Sequence, residues 1–211
     1  MAPRRRWTPT NGEPMPATAE KLLRAARRIV LKKGYSALST AAVGEEANEH
    51  GSLIYYYFGS KAGLVAALVD SLVEEPDLIG RARVSAVRDA RHRLDELLKE
   101  QEAVAAARED FRLFYELLPL ILRNKVLRER IATEYASARA YDWQVLASAA
   151  GFTDEQTRTL GVLTLSFVDG LGLHAALDPK GLDVHDAYEV WRDMVTVYLR
   201  ELKARAAAAE S

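Results

Sequence analysis

From about residue 18 onward, apolar positions recur at three- and four-residue steps, and the pattern is helical almost throughout. Leu22, Ala26, Ile29 and Val30 predict a helix from Thr18 to Lys33, stopped by Gly34. Ser39 is a good N-cap, and Ala42, Val43 and Ala47 give the short helix after it a small apolar face. Asn48 suits the left-handed conformation that ends such a helix. A second short helix follows from about His50 to Phe58, with Ile54 and Phe58 four apart and facing inward. Leu64, Val65, Leu68, Val69 and Leu72 then mark a helix from Ser60 to about Glu75, with Pro76 predicted to end it.

The remaining pattern predicts a charged amphipathic helix from Arg83 to about Ala107, with Val84, Val87, Leu94, Leu97 and Leu98 inward. Asp110 to Asn124 follows, where Pro119 predicts a kink or break. A long helix runs from about Val126 to Ala150 and is capped by Gly151. Thr153 and Gln156 form a capping box for a helix over 154–177, and the last helix spans about 184–207.

Two helices as short as those after Ser39 need the first helix behind them, because the helix nucleus is costly. Three helices with a brief turn before a polar-aromatic helix form the plan of a helix-turn-helix DNA reader. The ordered set Gly34-Tyr35, Ser39, Val43, Ala47-Asn48, Ile54-Tyr55, Tyr57-Phe58 and Ser60-Lys61 resembles the DNA-binding domain of the TetR family of transcriptional regulators. The match runs without a gap across about 45 residues. The sequence departs from the family pattern at Asn48, where Gly is common, at Glu49, where a small apolar residue is common, and at Leu53, where Thr is common. Leu53 alters base readout, so no operator carries over from better-known members.

The resemblance implies an all-α protein: a helix-turn-helix domain over 17–60, a connecting helix over 61–76, and a larger helical ligand-binding and dimerisation domain over 77–211. Gly51, Ser52, Leu53 and Tyr55 are the candidates to approach bases, with Leu53 against a thymine methyl. Ser39, Tyr56, Tyr57 and Lys61 are the candidates for phosphates, and His50 for either role or only a helix cap. The bland alternative makes the tyrosines plain domain core. The connecting helix over 61–76, read as the only continuous element joining the two parts, is the natural lever between them. Its N-terminal amides, with Lys61, offer a phosphate site.

Charge supports this division. Residues 1–61 hold ten Lys or Arg against five Asp or Glu, a balance of +5; the remaining 150 hold 19 against 25, a balance of −6. A nucleic-acid footprint confined to one domain produces that asymmetry, although solvated faces also differ by chance. Residues 1–16 are Pro-rich, polar and aperiodic, and predict a disordered arm. Arg4, Arg5 and Arg6 in that arm either touch DNA or belong to a solvated tail. The chain has no cysteine, which fits a reducing compartment, and no apolar run follows its basic start, so a cytoplasmic location is expected. Leu160 to Leu177 contains Asp169, His174 and three glycines and reads as a buried helix, not a membrane span.

The last two helices carry more apolar surface than one monomer buries, which predicts a homodimer through a four-helix bundle of these helices. The alternative is a monomer with both helices internal. VDGLGLHAALDP also resembles the same region of TetR-family proteins, which pair this way. Such regulators read a double-stranded DNA operator as two half-sites. They answer to a small-molecule effector, here unknown, for which Phe111, Phe114, Tyr115, Leu118, Tyr135, Arg139, Trp143, Phe167 and His174 are candidate pocket walls. The plainer reading of aromatics at helical spacing is core.

Other classes find less support. Asp89-x-x-His92 occurs once among arginines and reads as an exposed face, with no second Glu-x-x-His to complete a di-metal site. No Gly-rich phosphate loop or Cys nucleophile is present, so neither an enzyme nor a cofactor is expected. A helical adaptor that binds only proteins remains the alternative function.

Overall fold

The computed structural model describes residues 15–209, except for the side chains at 73–79, 91, 149, 150, 154 and 209. The expected arm therefore lies, apart from its last two positions, outside the described residues, as do Arg4, Arg5 and Arg6. The described elements are α1 (Ala17–Lys33), a 3-10 turn (Tyr35–Ala37), α2 (Thr40–Ala47), α3 (Leu53–Phe58), α4 (Lys61–Ala86), α5 (Ala90–Ala106), α6 (Arg108–Arg123), α7 (Lys125–Ala150), α8 (Asp154–Leu177) and α9 (Val184–Ala209). No strand occurs among the described residues, and the all-α expectation holds.

Two compact units divide the chain. The first takes Met1–Glu74 and Arg112–Glu129; the second takes Glu75–Phe111 and Arg130–Ser211. In the first, α1 packs on α2 and α3. Leu22, Ala26, Ile29, Leu38, Val43, Ile54, Phe58, Leu64 and Leu68 are buried there, as are Leu113, Leu117 and Ile121 of α6. In the second, α5 packs on α8 and α9. Leu146, Leu160, Val195 and Leu199 form one buried cluster with Leu94 and Trp191 against it, and Val84, Leu97 and Val145 form another against Tyr141. Tyr188 is also buried and donates its hydroxyl to Gln101 Oε1 at 3.0 Å. Loss of water around this phenol pushes its pKa up, with Asp142 adding to the effect.

Several predicted boundaries hold for the predicted reasons. The Ser39 hydroxyl accepts from the Ala42 N–H at 3.1 Å. Asn48 is left-handed, at φ 50° and ψ 50°. The Thr153 N–H donates to Gln156 Oε1 at 2.9 Å, and Gly151 ends α7 at φ +75°.

Others move. Pro76 does not end α4, which continues to Ala86. A proline inside a helix costs about 3 kcal/mol or more, so the turns beyond it must be held by packing. Val84 is fully buried, and Arg81 Nη1 donates to Ser137 Oγ at 2.8 Å. The predicted helix from Arg83 is therefore split: its first residues belong to α4, and α5 starts at Ala90, where Asp89 Oδ1 accepts from the His92 N–H at 2.9 Å. Asp89-x-x-His92 is thus a helix cap. No group of side chains among the described residues is arranged to hold a metal. Pro119 sits inside α6, which continues through it to Arg123 without a break. Nor is α4 alone in running from one unit into the other; α6 and α7 do so too.

Helix α8 is long and apolar enough to cross a bilayer by length and composition, yet it packs on α5 with Thr164 buried inside it. The Thr164 hydroxyl donates to the Leu160 carbonyl at 2.8 Å.

Candidate DNA-reading site

The turn between α2 and α3 depends on two glycines, Gly44 within α2 and Gly51 in the turn itself. A methyl on Gly44 would lie 2.7 Å from the Gly51 backbone nitrogen, and one on Gly51 would lie 2.6 Å from the Thr40 carbonyl oxygen. Backbone approaches backbone here with no room for a Cβ. The expected helix start at about His50 consequently shifts to Leu53, because residues 50–52 are spent on the turn. Leu53, Ile54 and Tyr55 donate to carbonyls three residues back, so α3 enters through a tight 3-10-type turn. Gly51, read from sequence as approaching bases, has its α-carbon turned toward α2.

From this turn α3 buries Ile54 and Phe58. His50, Ser52, Tyr55 and Tyr56 are exposed, Tyr55 at 51% and Tyr56 at 46%, which removes the plain-core reading for these two tyrosines. Leu53 and Tyr57 are half-buried. Tyr57 and Tyr56 meet edge to face with centroids 4.8 Å apart, which stiffens the pair. The structure therefore brings Leu53, Tyr55 and Tyr56 together on one short helix, with Ser52 at its N-cap.

Charge around the site is partly committed. Glu49, the departure at the turn, accepts from Lys21 Nζ of α1 at 2.9 Å. Arg28 Nε donates to Glu46 Oε1 at 2.7 Å; with desolvation opposing, that bond and the nearby cations hold the Glu46 carboxyl below its usual range. Lys61 opens α4, and its ammonium lies 5.2 Å from the centre of the Tyr35 ring. Tyr35, one of the marks of the family pattern, is half-buried and serves as the perch for this lysine. The sequence carries no sign of that use.

Residues 22–68 match the family model described as bacterial regulatory proteins, tetR family. Residues 90–202, more than half of the chain, match that of the C-terminal part of BetI-type transcriptional repressors. The chain belongs to the TetR family.

Individual relatives match over different shares of the chain. TtgR, an HTH-type transcriptional regulator of Pseudomonas putida, is 38% identical over 68 residues, a match covering 32% of this chain and 32% of TtgR. A transcriptional regulator of Pseudomonas aeruginosa PAO1 shares the fold at 18% identity and a TM-score of 0.76, over 89% of this chain and 92% of that one. Another, from Saccharomonospora viridis and solved in complex with choline, shares it at 19% identity and a TM-score of 0.70, over 86% and 95% of the two chains.

In this TetR-family chain the candidate effector residues fall in both compact units. Phe114, Tyr115 and Leu118 belong to the first unit, where the two rings meet edge to face at 5.7 Å. Phe111, Tyr135, Arg139, Trp143, Phe167 and His174 belong to the second. The Phe111 ring packs against Gly172 of α8, where any Cβ would overlap it. Tyr135 hydrogen-bonds Asp169, one turn earlier on the same helix. Phe167 instead stacks on Trp191 of α9 at 4.5 Å, and Trp143 packs under Arg158 and against Gly161. His174 is exposed. Asp169 is the group that sequence reasoning passed over. Burial, only partly offset by the Tyr135 bond, pushes its carboxyl up to about 6. An acid inside the apolar run VDGLGL was the available signal.

Proposed function

We propose that the chain is a dimeric, ligand-responsive transcriptional repressor that reads a (pseudo)palindromic operator in the major groove. The carrying observation is the turn locked by Gly44 and Gly51, from which α3 emerges with Tyr55 and Tyr56 exposed. Ser52, Leu53 and Tyr55 face bases. Tyr56, Tyr57 and Lys61 face phosphates, and Ser39, whose hydroxyl accepts a backbone bond, still has an O–H to donate to one. Gly51 makes the turn possible, and His50 stays at the turn's exposed edge.

One such helix reaches few bases, so two copies must present it about 34–36 Å apart, or a multiple of that, on one face of DNA. The pairing surface is supported by apolar side chains that α8 and α9 leave exposed: Val162, Leu163 and Leu177 on the first, Val190, Met194, Val197 and Tyr198 on the second. They recur at helical spacing, and an apolar face of this kind marks an interface. A small-molecule effector acts by preferring one separation of the reading helices, through α4, α6 and α7. Organic cations are the first class to screen, because a relative of the same fold was solved with choline. A cytoplasmic location follows from the role.

Selection of bound sequences from random DNA tests the reading. A two-fold-symmetric site is the expected result, with affinity falling steeply as salt rises. Binding that ignores salt and sequence would instead favour a protein-binding adaptor.

A further inference from the structure

We propose that Glu116 is a positioning residue for the DNA contact made by Lys61, acting through Tyr35. The inference rests on the phosphate role given to Lys61 above. All of the contacts lie within the first compact unit.

Helix α6 places Arg112 and Glu116 one turn apart on the same face. Arg112 Nη2 donates to the Leu31 carbonyl at 3.3 Å, supplying a partner to one of the last carbonyls of α1, which have none within the helix. Glu116 Oε1 accepts from the Tyr35 N–H at 2.9 Å, where the 3-10 turn begins. Gly34 between them has φ +78°, and a Cβ there would sit 3.0 Å from Glu116 Oε1. The elbow is thus shaped to admit a carboxylate. The far side of the same residue, the Tyr35 ring, carries the Lys61 ammonium. Two contacts therefore separate an α6 carboxylate from a cation at the mouth of the reading site, and α6 itself begins in the second unit, with Phe111 against Gly172.

Simple electrostatics and positioning predict opposite signs. Removing an acid near a DNA-binding surface should strengthen DNA binding through the general field. If the acid holds the elbow that aims Lys61, its removal weakens binding instead.

The experiment measures binding of the full chain to a random-sequence DNA duplex across a salt series, for Glu116→Ala, Glu116→Gln, Lys61→Ala and the double variant Glu116→Ala/Lys61→Ala. Glu116→Ala is expected to weaken binding by about three- to ten-fold, the size of one ordinary hydrogen bond lost. It should also flatten the salt dependence toward that of Lys61→Ala, which gives up about one released counterion per subunit. The double variant should bind no worse than Lys61→Ala alone. Glu116→Gln keeps an acceptor oxygen without the charge and should bind at least as tightly as the unchanged protein. Tyr35→Leu, which keeps the backbone bond but removes the perch, should reproduce the loss if Glu116→Ala proves unstable. Additive losses, or tighter binding by Glu116→Ala, overturn the inference alone. An unaltered affinity and salt slope for Lys61→Ala overturn the phosphate role and the inference with it.

Discussion

Gly44 and Gly51 face each other across the turn of the reading unit so closely that a Cβ on Gly44 would stand 2.7 Å from the Gly51 backbone nitrogen. The neighbouring atoms are backbone, so they cannot swing aside as a side-chain end would. Gly44→Ala and Gly51→Ala are therefore expected to destabilise the unit by about 1–3 kcal/mol, the usual cost of overpacking. Thermal melting should show the loss, and DNA binding should fall with it. A Gly44→Ala variant that melts and binds like the unchanged protein would show that the two helices do not need this approach.

On the proposed reading, Leu53, Tyr56 and Lys61 divide the work of binding. Leu53 sits at the start of α3, half-buried, with its remaining surface apolar. Leu53→Ala should change which bases are preferred, at about 1–3 kcal/mol per discriminated pair, while leaving random DNA nearly unaffected. Tyr56→Ala and Lys61→Ala should lower affinity for selected and random DNA alike. Parallel titrations on both kinds of duplex separate these outcomes; equal effects of all three variants would refute the division.

Asp169 makes stability depend on pH in an unusual direction. Burial pushes its folded carboxyl up to about 6 from the ordinary 3.8, so the folded state keeps its proton longer than the unfolded one. Below both values the group contributes no penalty. As pH rises between them the unfolded chain ionises first and gains, and above the folded value the full penalty remains. Asp169→Asn, which retains an acceptor for Tyr135, should stabilise the protein by about 1–3 kcal/mol at pH 8 and by little near pH 4. Melting curves at the two pH values check the difference, and a gain of equal size at both would rule out this titration as its cause.

Met194 stands at the centre of the exposed stripe on α9, at 58% exposure between Val190 and Val197. Met194→Glu would place a charge in each copy of the proposed pairing face, and the substitution is repeated by symmetry. Dissociation of the dimer should rise by about 100-fold or more, readable by sedimentation, with operator binding lost in parallel. A dimer that survives both Met194→Glu and Leu163→Glu pairs through some other surface.

The repeat of apolar residues determined that this chain is helical, and short-range chemistry determined many of its ends. Ser39, Asn48, Gly34 and Gly151 act on groups three or four residues away, so their effect is visible in the sequence itself. The order of those marks was enough to identify the reading unit. Tertiary structure alone decided three other matters. Pro76 lies within α4 because Val84 and Arg81 find partners on other elements, a gain that no local preference registers. Gly51 turns toward Thr40 because two helices converge, and a glycine in a list of candidate base contacts does not reveal which way its α-carbon faces. Glu116 meets Tyr35 across 81 residues of chain, and one carboxylate among many exposed ones carries no mark of the backbone N–H it will meet. Local interactions are written in spacing; those that depend on which surfaces are brought together exist only once the chain has folded.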